Sequence, residues 1–313
     1  MDHNDVKRAV VVGAGVMGHS IAHVFARAGI EVNLVDLNQA VLDHAMGLIP
    51  ADLETLAEFK KISRGDIPKV LARIHPFTDL ARGAKGVDFA VEAVSEIPDI
   101  KRGVFSQLDQ CCPPNAVIAS NTSSLDVFSI ARITRPERLV VAHWFVPPHI
   151  IPLVEVVPGP ETSPGTVQFT AKLMKRLGKR TVIMKEFVPA FIVNRIQHSI
   201  SRTVWEMLEK GWATPEEIDQ AVKLTLGIRL PVVGVVQTND FAGLDLIYDI
   251  MKAGQSVSPL VKEMVDRGHL GAKTSKGIYD YGGRSEAEIL KTRDQQYLKL
   301  LGYLEEIKAF DPV

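Results

Sequence analysis

"RAVVVGAGVMGHSIAHVFARAGIEVNLVD", residues 8–36, decides how the rest of the chain is read. The β-branched run Val10–Val12 suits a strand covered on both faces. It breaks at Gly13, Gly15 and Gly18, spaced G-x-G-x-x-G around Ala14, Val16 and Met17. From Met17 the residues Ile21, Ala22, Phe25 and Ala26 return at helical spacing, and Gly29 ends that run. "VNLV" (32–35) then reads as a second strand, closed by Asp36. The first glycine permits a tight turn, the second lets backbone approach a pyrophosphate, and the third lets helix pack on strand. The helix N-terminus adds free N–H groups and a positive dipole end for the phosphates. Asp36 is placed to accept from a ribose diol and to repel a 2′-phosphate, so NAD is expected rather than NADP. A glycine-rich turn in an unliganded α/β fold is the competing reading; the strand, the helix and the acid around the motif argue against it.

Outward from this unit the alternation continues. "DFAVEAVSE" (88–96), "AVIASNTSS" (116–124), "RLVVAHWF" (138–145), "PLVEVV" (152–157) and "TVIMK" (181–185) read as strands. Helical stretches lie between several of them, one at 100–112 and one opening at Thr162 or Ser163 with Pro164 in its first turn. That pattern predicts an α/β, Rossmann-type doubly wound sheet, in which ligands sit outside the carboxyl ends of the strands. Glu96, Asn121, Ser123 and His143 mark those ends. Within "AHWFVPPHIIPLVE" (142–155), His143 closes one apolar run and Glu155 follows at the end of the next. Local spacing alone leaves open whether these are a core histidine and an unrelated carboxylate or one device. His149, in "PPHII", reads as a loop histidine packed on prolines or, less simply, as a substrate contact.

After Pro189 the strands stop. "AFIVNRIQHSISRTVWEMLEKG" (190–211) is a long amphipathic helix with Asn194 near its start, either a buried capping amide or a group aimed back at the site. "TPEEIDQAVKLTLG" (214–227) opens with Thr214, Pro215 and Glu217 in capping-box order. Further helices are expected at 240–267 and 285–309. The expected domains are therefore a nucleotide-binding sheet over 1–186 and an all-α domain over 187–313, with a substrate cleft between them.

Composition narrows the class. The 313 residues are 46% hydrophobic and 23% charged, with a net charge of -1. Neither nucleic acid nor an anionic membrane is implied as partner. Cys111 and Cys112 are adjacent and cannot staple distant segments, which points to a reducing, cytoplasmic setting. No run nears the roughly 18–20 apolar residues of a membrane span, and no secretory leader is evident. H-E-x-x-H, C-x-x-C and EF-hand spacings are all missing, so no metal is expected in the chemistry.

The chain resembles the NAD-dependent L-3-hydroxyacyl-CoA dehydrogenases and their relatives, which include lambda-crystallin/L-gulonate dehydrogenase and carnitine dehydrogenase. The likeness runs nearly end to end through "GAGVMG" (13–18), "VEAVSE" with Lys101, "SNTSSL" (120–125), "HWFVPP…PLVEVV" (143–157), "FIVNR" (191–195), "AGLD" (242–245) and "GAKTSKGIYDY" (271–281). The resemblance implies that His143 is the catalytic base and Glu155 its acidic partner. It implies that Ser123 and Asn194 hold the substrate oxygen and the histidine. Glu96, Lys101 and Asn121 match positions near the nicotinamide and its ribose. It also implies a homodimer formed through the helical domain. Two departures lie near the site: Val146 replaces an asparagine beside the base, and Ala190 replaces a glycine before the asparagine helix. The expected substrate is an (S)-3-hydroxyacyl-CoA, such as 3-hydroxybutyryl-CoA, with Lys60, Lys61, Arg64 and Lys69 at the rim for CoA phosphates. Alternatives are a free 3-hydroxy acid such as L-gulonate or L-carnitine, a crystallin-like protein with little turnover, and, last, an NAD-responsive binding module.

Overall fold

The computed structural model describes residues 2–311. Contacts divide the chain into two compact units that meet in sequence at Ser199 and Ile200.

The first unit is an eight-stranded sheet: β1 Arg8–Val12, β2 Glu31–Val35, β3 Ile74–Phe77, β4 Phe89–Glu92, β5 Val117–Ser120, β6 Leu139–Trp144, β7 Leu153–Pro158 and β8 Arg180–Ile183. Their order across the sheet is β3-β2-β1-β4-β5-β6-β7-β8, the doubly wound arrangement. All pairs are parallel except β6 with β7. Seven strands stand where the apolar runs predict them. β3 escapes that reading because it is short, lies at the edge and carries Pro76, which a central strand rejects.

Both faces are covered, and alternate side chains of one strand serve different layers. Val11 packs with Phe25, Leu34, Trp144 and Leu173. Val10 and Val12 pack with Phe105, Ile118, Val141 and Phe191 on the other face. The covering helices are α1 Gly18–Arg27, α2 Gln39–Glu58, α3 Ile67–Leu71, α4 Leu80–Gly83, α5 Pro98–Cys111, α6 Val127–Ile130 and α7 Pro164–Arg176. Ser163, not Thr162, caps α7, its hydroxyl accepting from Thr166 N.

α8 Val193–Glu209 links the units, and the second contains α9 Pro215–Leu224, α10 Leu226–Ala242, α11 Leu244–Ala253, α12 Pro259–Asp266 and α13 Glu286–Glu306. The helices expected over 240–267 are the end of α10, α11 and α12, parted at Gly243 and again before Pro259. Thr214 and Glu217 form the anticipated capping box. "GAKTSKGIYDY" wraps the buried Asp240, which accepts from Ile278 N, Tyr279 N and the Tyr281 hydroxyl. The division at 199/200 falls later than the 186/187 break in composition. Strands end before 187, but the first turn of α8 is anchored to the sheet through Glu155. Among the described residues no single helix is long and apolar enough to cross a membrane; α9 and α10 reach that content only as a pair bent by 60°.

Candidate active site

The antiparallel step in the sheet builds the site. His143 on β6 lies opposite Glu155 on β7 in the ladder. Directly opposed residues project to one face, so imidazole and carboxylate meet. His143 Nδ1 is 2.8 Å from Glu155 Oε2. Glu155 is fully buried and His143 is 4% exposed. The other carboxylate oxygen, Oε1, accepts from Ile192 N (3.1 Å) and Val193 N (2.9 Å), the N-terminal end of α8. A carboxylate there gains from orphan N–H groups and the helix dipole. Phe145 and Phe191 flank the imidazole, with ring centres at 4.4 and 5.3 Å.

A second hydrogen-bonded chain lies beside it. Asn194, on the first turn of α8, donates from Nδ2 to Ser123 O at 3.0 Å. Ser123 donates its N–H and its hydroxyl to Glu96 Oε1. Burial pushes the Glu96 carboxyl up, but the Ser123 N–H, the Lys101 ammonium and the Ser123 hydroxyl outweigh it and hold the group below the usual range. Lys101, 1% exposed, bridges Glu96 (3.2 Å) and Glu92 (2.6 Å). Asn121 Oδ1 accepts Trp144 N at 2.9 Å, tying the end of β5 to the residue after His143. Sequence reading missed Glu92 and Ser120. Glu92 is fully buried and also accepts the Ser120 hydroxyl at 2.6 Å. The available signal was an acid at the end of the apolar strand "FAVE".

His149 turns away from this chemistry. Its Nδ1 is 2.8 Å from Ser20 Oγ on α1, and its ring packs 5.2 Å from that of His23. Val146 is 62% exposed and makes no part of the pair.

The nucleotide end is equally specific. Gly13 has φ +99°, and a Cβ there would lie 2.5 Å from Ala93 O. A Cβ on Gly18 would lie 1.6 Å from Gly13 O. A Cβ on Gly15 would have nothing within 4 Å, space that a ligand's phosphates fit. Val16 is exposed at this turn, and Met17 packs on the core beneath it. Asp36 accepts from Ala14 N (2.9 Å) and Asn38 N (3.1 Å), which fixes its carboxylate at the strand end with lone pairs to spare. A cavity of about 430 Å³, lined by Gly13, Gly15, Asp36, Leu37, Val94 and Ile100 among others, runs beside it. These residues fit a dinucleotide.

The expected basic rim lies elsewhere. Lys61 and Lys69 line a hollow with Arg27 and Ala28, at the opposite end of α1 from Gly15. Arg64 pairs with Glu54, and Lys69 with Asp66.

Comparison with known proteins agrees with this geometry. The model of the 3-hydroxyacyl-CoA dehydrogenase NAD-binding domain matches residues 8–187, and that of the family's C-terminal domain matches 191–281. The chain is 30% identical over 309 residues to the 5-formyl-3-hydroxy-2-methylpyridine 4-carboxylate 5-dehydrogenase of Mesorhizobium japonicum, covering 96% of this chain and 99% of that one. It is 37% identical over 281 residues to a probable 3-hydroxybutyryl-CoA dehydrogenase of Deinococcus radiodurans, covering 87% and 99%. The structure of a 3-hydroxyacyl-CoA dehydrogenase from Archaeoglobus fulgidus superposes with a TM-score of 0.80 at 30% identity, covering 96% and 99%. With both family models in register and the nucleotide turn built as they require, this chain belongs to the 3-hydroxyacyl-CoA dehydrogenase family and is an NAD-dependent oxidoreductase.

Proposed function

We propose that the protein interconverts a 3-hydroxyacyl group and its 3-oxo form, with His143 as general base and acid. The observation that carries this reading is the buried His143–Glu155 pair. Nδ1 faces Glu155, so Nε2 is the atom left to take the alcohol proton or return it. Glu155 holds the tautomer and stabilises the imidazolium that forms, and the Ile192 and Val193 N–H groups keep its carboxylate from turning. Asn194 and the Ser123 hydroxyl orient the substrate oxygen, the hydroxyl turning from Glu96 to do so. Lys101, Glu96 and Asn121 shape the nicotinamide end. NAD, when bound, accepts or returns the hydride at its nicotinamide ring. The helical half takes the acyl chain and a second copy of the protein, as a homodimer, and the two unpaired cysteines suit a reducing, cytoplasmic setting.

The (S)-3-hydroxyacyl-CoA thioester is the first choice of substrate, supported by the names of most relatives. A free hydroxy acid is the second. It is favoured by the place of Lys61 and Lys69 at the far end of α1, and by the Mesorhizobium relative, which is named for a pyridine carboxylate. Reduction of acetoacetyl-CoA by NADH, measured beside oxidation of free 3-hydroxybutyrate, L-gulonate and L-carnitine, separates them. The thioester is expected to win by roughly several hundred-fold in kcat/KM, the added phosphates contributing binding energy. A clear preference for a free acid reverses the order, and no turnover with any of them leaves the crystallin-like reading.

A further inference from the structure

Behind the catalytic strand lies a cluster that the reaction does not use. His23 on α1 is fully buried, and neither of its ring nitrogens has a hydrogen-bond partner among the described residues. Asp52 on α2 leaves Oδ2 without one too. His149, from the loop joining β6 to β7, completes the group. One ligand atom from each of the three lies within 4.8 Å of the others. His23 Nε2 stands 3.4 Å from Asp52 Oδ2, and His149 Nδ1 stands 3.7 Å from the same oxygen. Those separations are long for hydrogen bonds. They are close to the edge of a tetrahedron with 2.0–2.1 Å bonds, about 3.3–3.4 Å.

We propose that His23, Asp52 and His149 form a binding site for a zinc-class divalent cation, with water in the fourth position. Two imidazoles and one carboxylate are borderline ligands of the kind zinc takes, whereas calcium and magnesium want oxygen alone. Ser20 Oγ now shares a hydrogen bond with His149 Nδ1 and releases it on binding, keeping its bond from His149 N. His19 Nε2 also lies 3.4 Å from Asp52 Oδ2, at the edge of the group. The site uses none of the residues placed on the acid–base chemistry. It pins the loop after His143 to the helix whose other end holds the cofactor phosphates. No local motif announces it, because its three ligands come from separate elements.

The test uses tag-free full-length protein stripped with a chelator. Zinc titrated against a chromophoric competitor is expected to bind at one equivalent per chain. Cobalt is expected to give the visible absorption of a tetrahedral centre, and zinc a rise in Tm of several degrees, about what a ligand in large excess produces. His149→Gln and Asp52→Asn should each weaken zinc by more than about 100-fold, beyond the loss caused by outer partners. NAD binding by each variant reports that it is folded. His23→Asn adds a third arm, and the other two decide if it does not fold. No stoichiometric zinc, or binding that survives both substitutions, overturns the proposal; neither result touches the His143 chemistry.

Discussion

At the scale of single residues, the acid–base pair makes the sharpest demands. Replacing His143 with alanine is expected to lower kcat by about 10²- to 10⁴-fold, the range for a lost general base. NAD affinity should hardly move, because the phosphate turn is built from Gly13–Gly18. Glu155→Gln should cost less in kcat but also lower Tm. Its amide keeps only one acceptor oxygen for the His143 Nδ1 side and the two N–H groups of α8. Steady-state kinetics with NAD-binding titrations check both, and near-wild-type turnover in His143→Ala would remove the mechanism. The pair was legible in part. The two residues stand out as polar ends of apolar runs, but only an antiparallel register puts them face to face. The Lys101–Glu92 contact was illegible, because nothing in a sequence says that a lysine on a helix will fold back into the end of a strand.

At the scale of elements, the glycine turn separates folding from binding. Gly15→Ala adds a methyl where nothing lies within 4 Å, so Tm should hold within about 2 °C while NAD binding weakens at least about 10-fold. Gly18→Ala places its methyl 1.6 Å from Gly13 O and should cost Tm as well as binding. Thermal melts with and without NAD check this, and equal behaviour of the two variants would contradict it. A second junction ties α5 to the strand bearing His143. Asp109 and Arg138 pair at 2.7 Å with both side chains 7% exposed. Burial pushes the Asp109 carboxyl up, yet the Thr134 N–H and the guanidinium win and hold it low. A carboxyl held below its unfolded value stabilises fully above about pH 4, and that stability is lost as pH falls through the folded value. The Tm gap between wild type and Asp109→Asn should therefore be widest near neutrality and shrink below about pH 4. A gap independent of pH would contradict the assignment.

At the scale of the whole molecule, the fold class and seven of the eight strands could be read from hydrophobic periodicity, while α2 Gln39–Glu58, the 20-residue helix after Asp36, was not singled out. Helix α10 could not, because Pro231 and the positive-φ Gly234 interrupt it without ending it. The helical unit leaves Trp205, Trp212, Val235, Val236, Leu246 and Ile250 exposed by 45% or more, apolar surface available to a second copy of the chain. A homodimer is expected by light scattering at micromolar concentration, and a persistent particle of 34.4 kDa would be the contrary result. The ladder between β6 and β7 also bears on how such a protein changes its trade. Slipping either strand by one residue sends Glu155 to the opposite face and silences the chemistry. Five residue pairs, from Val140 with Pro158 to Trp144 with Val154, hold that register along the ladder. Descendants of this sheet that change substrate can therefore keep the proton transfer only by keeping this pairing.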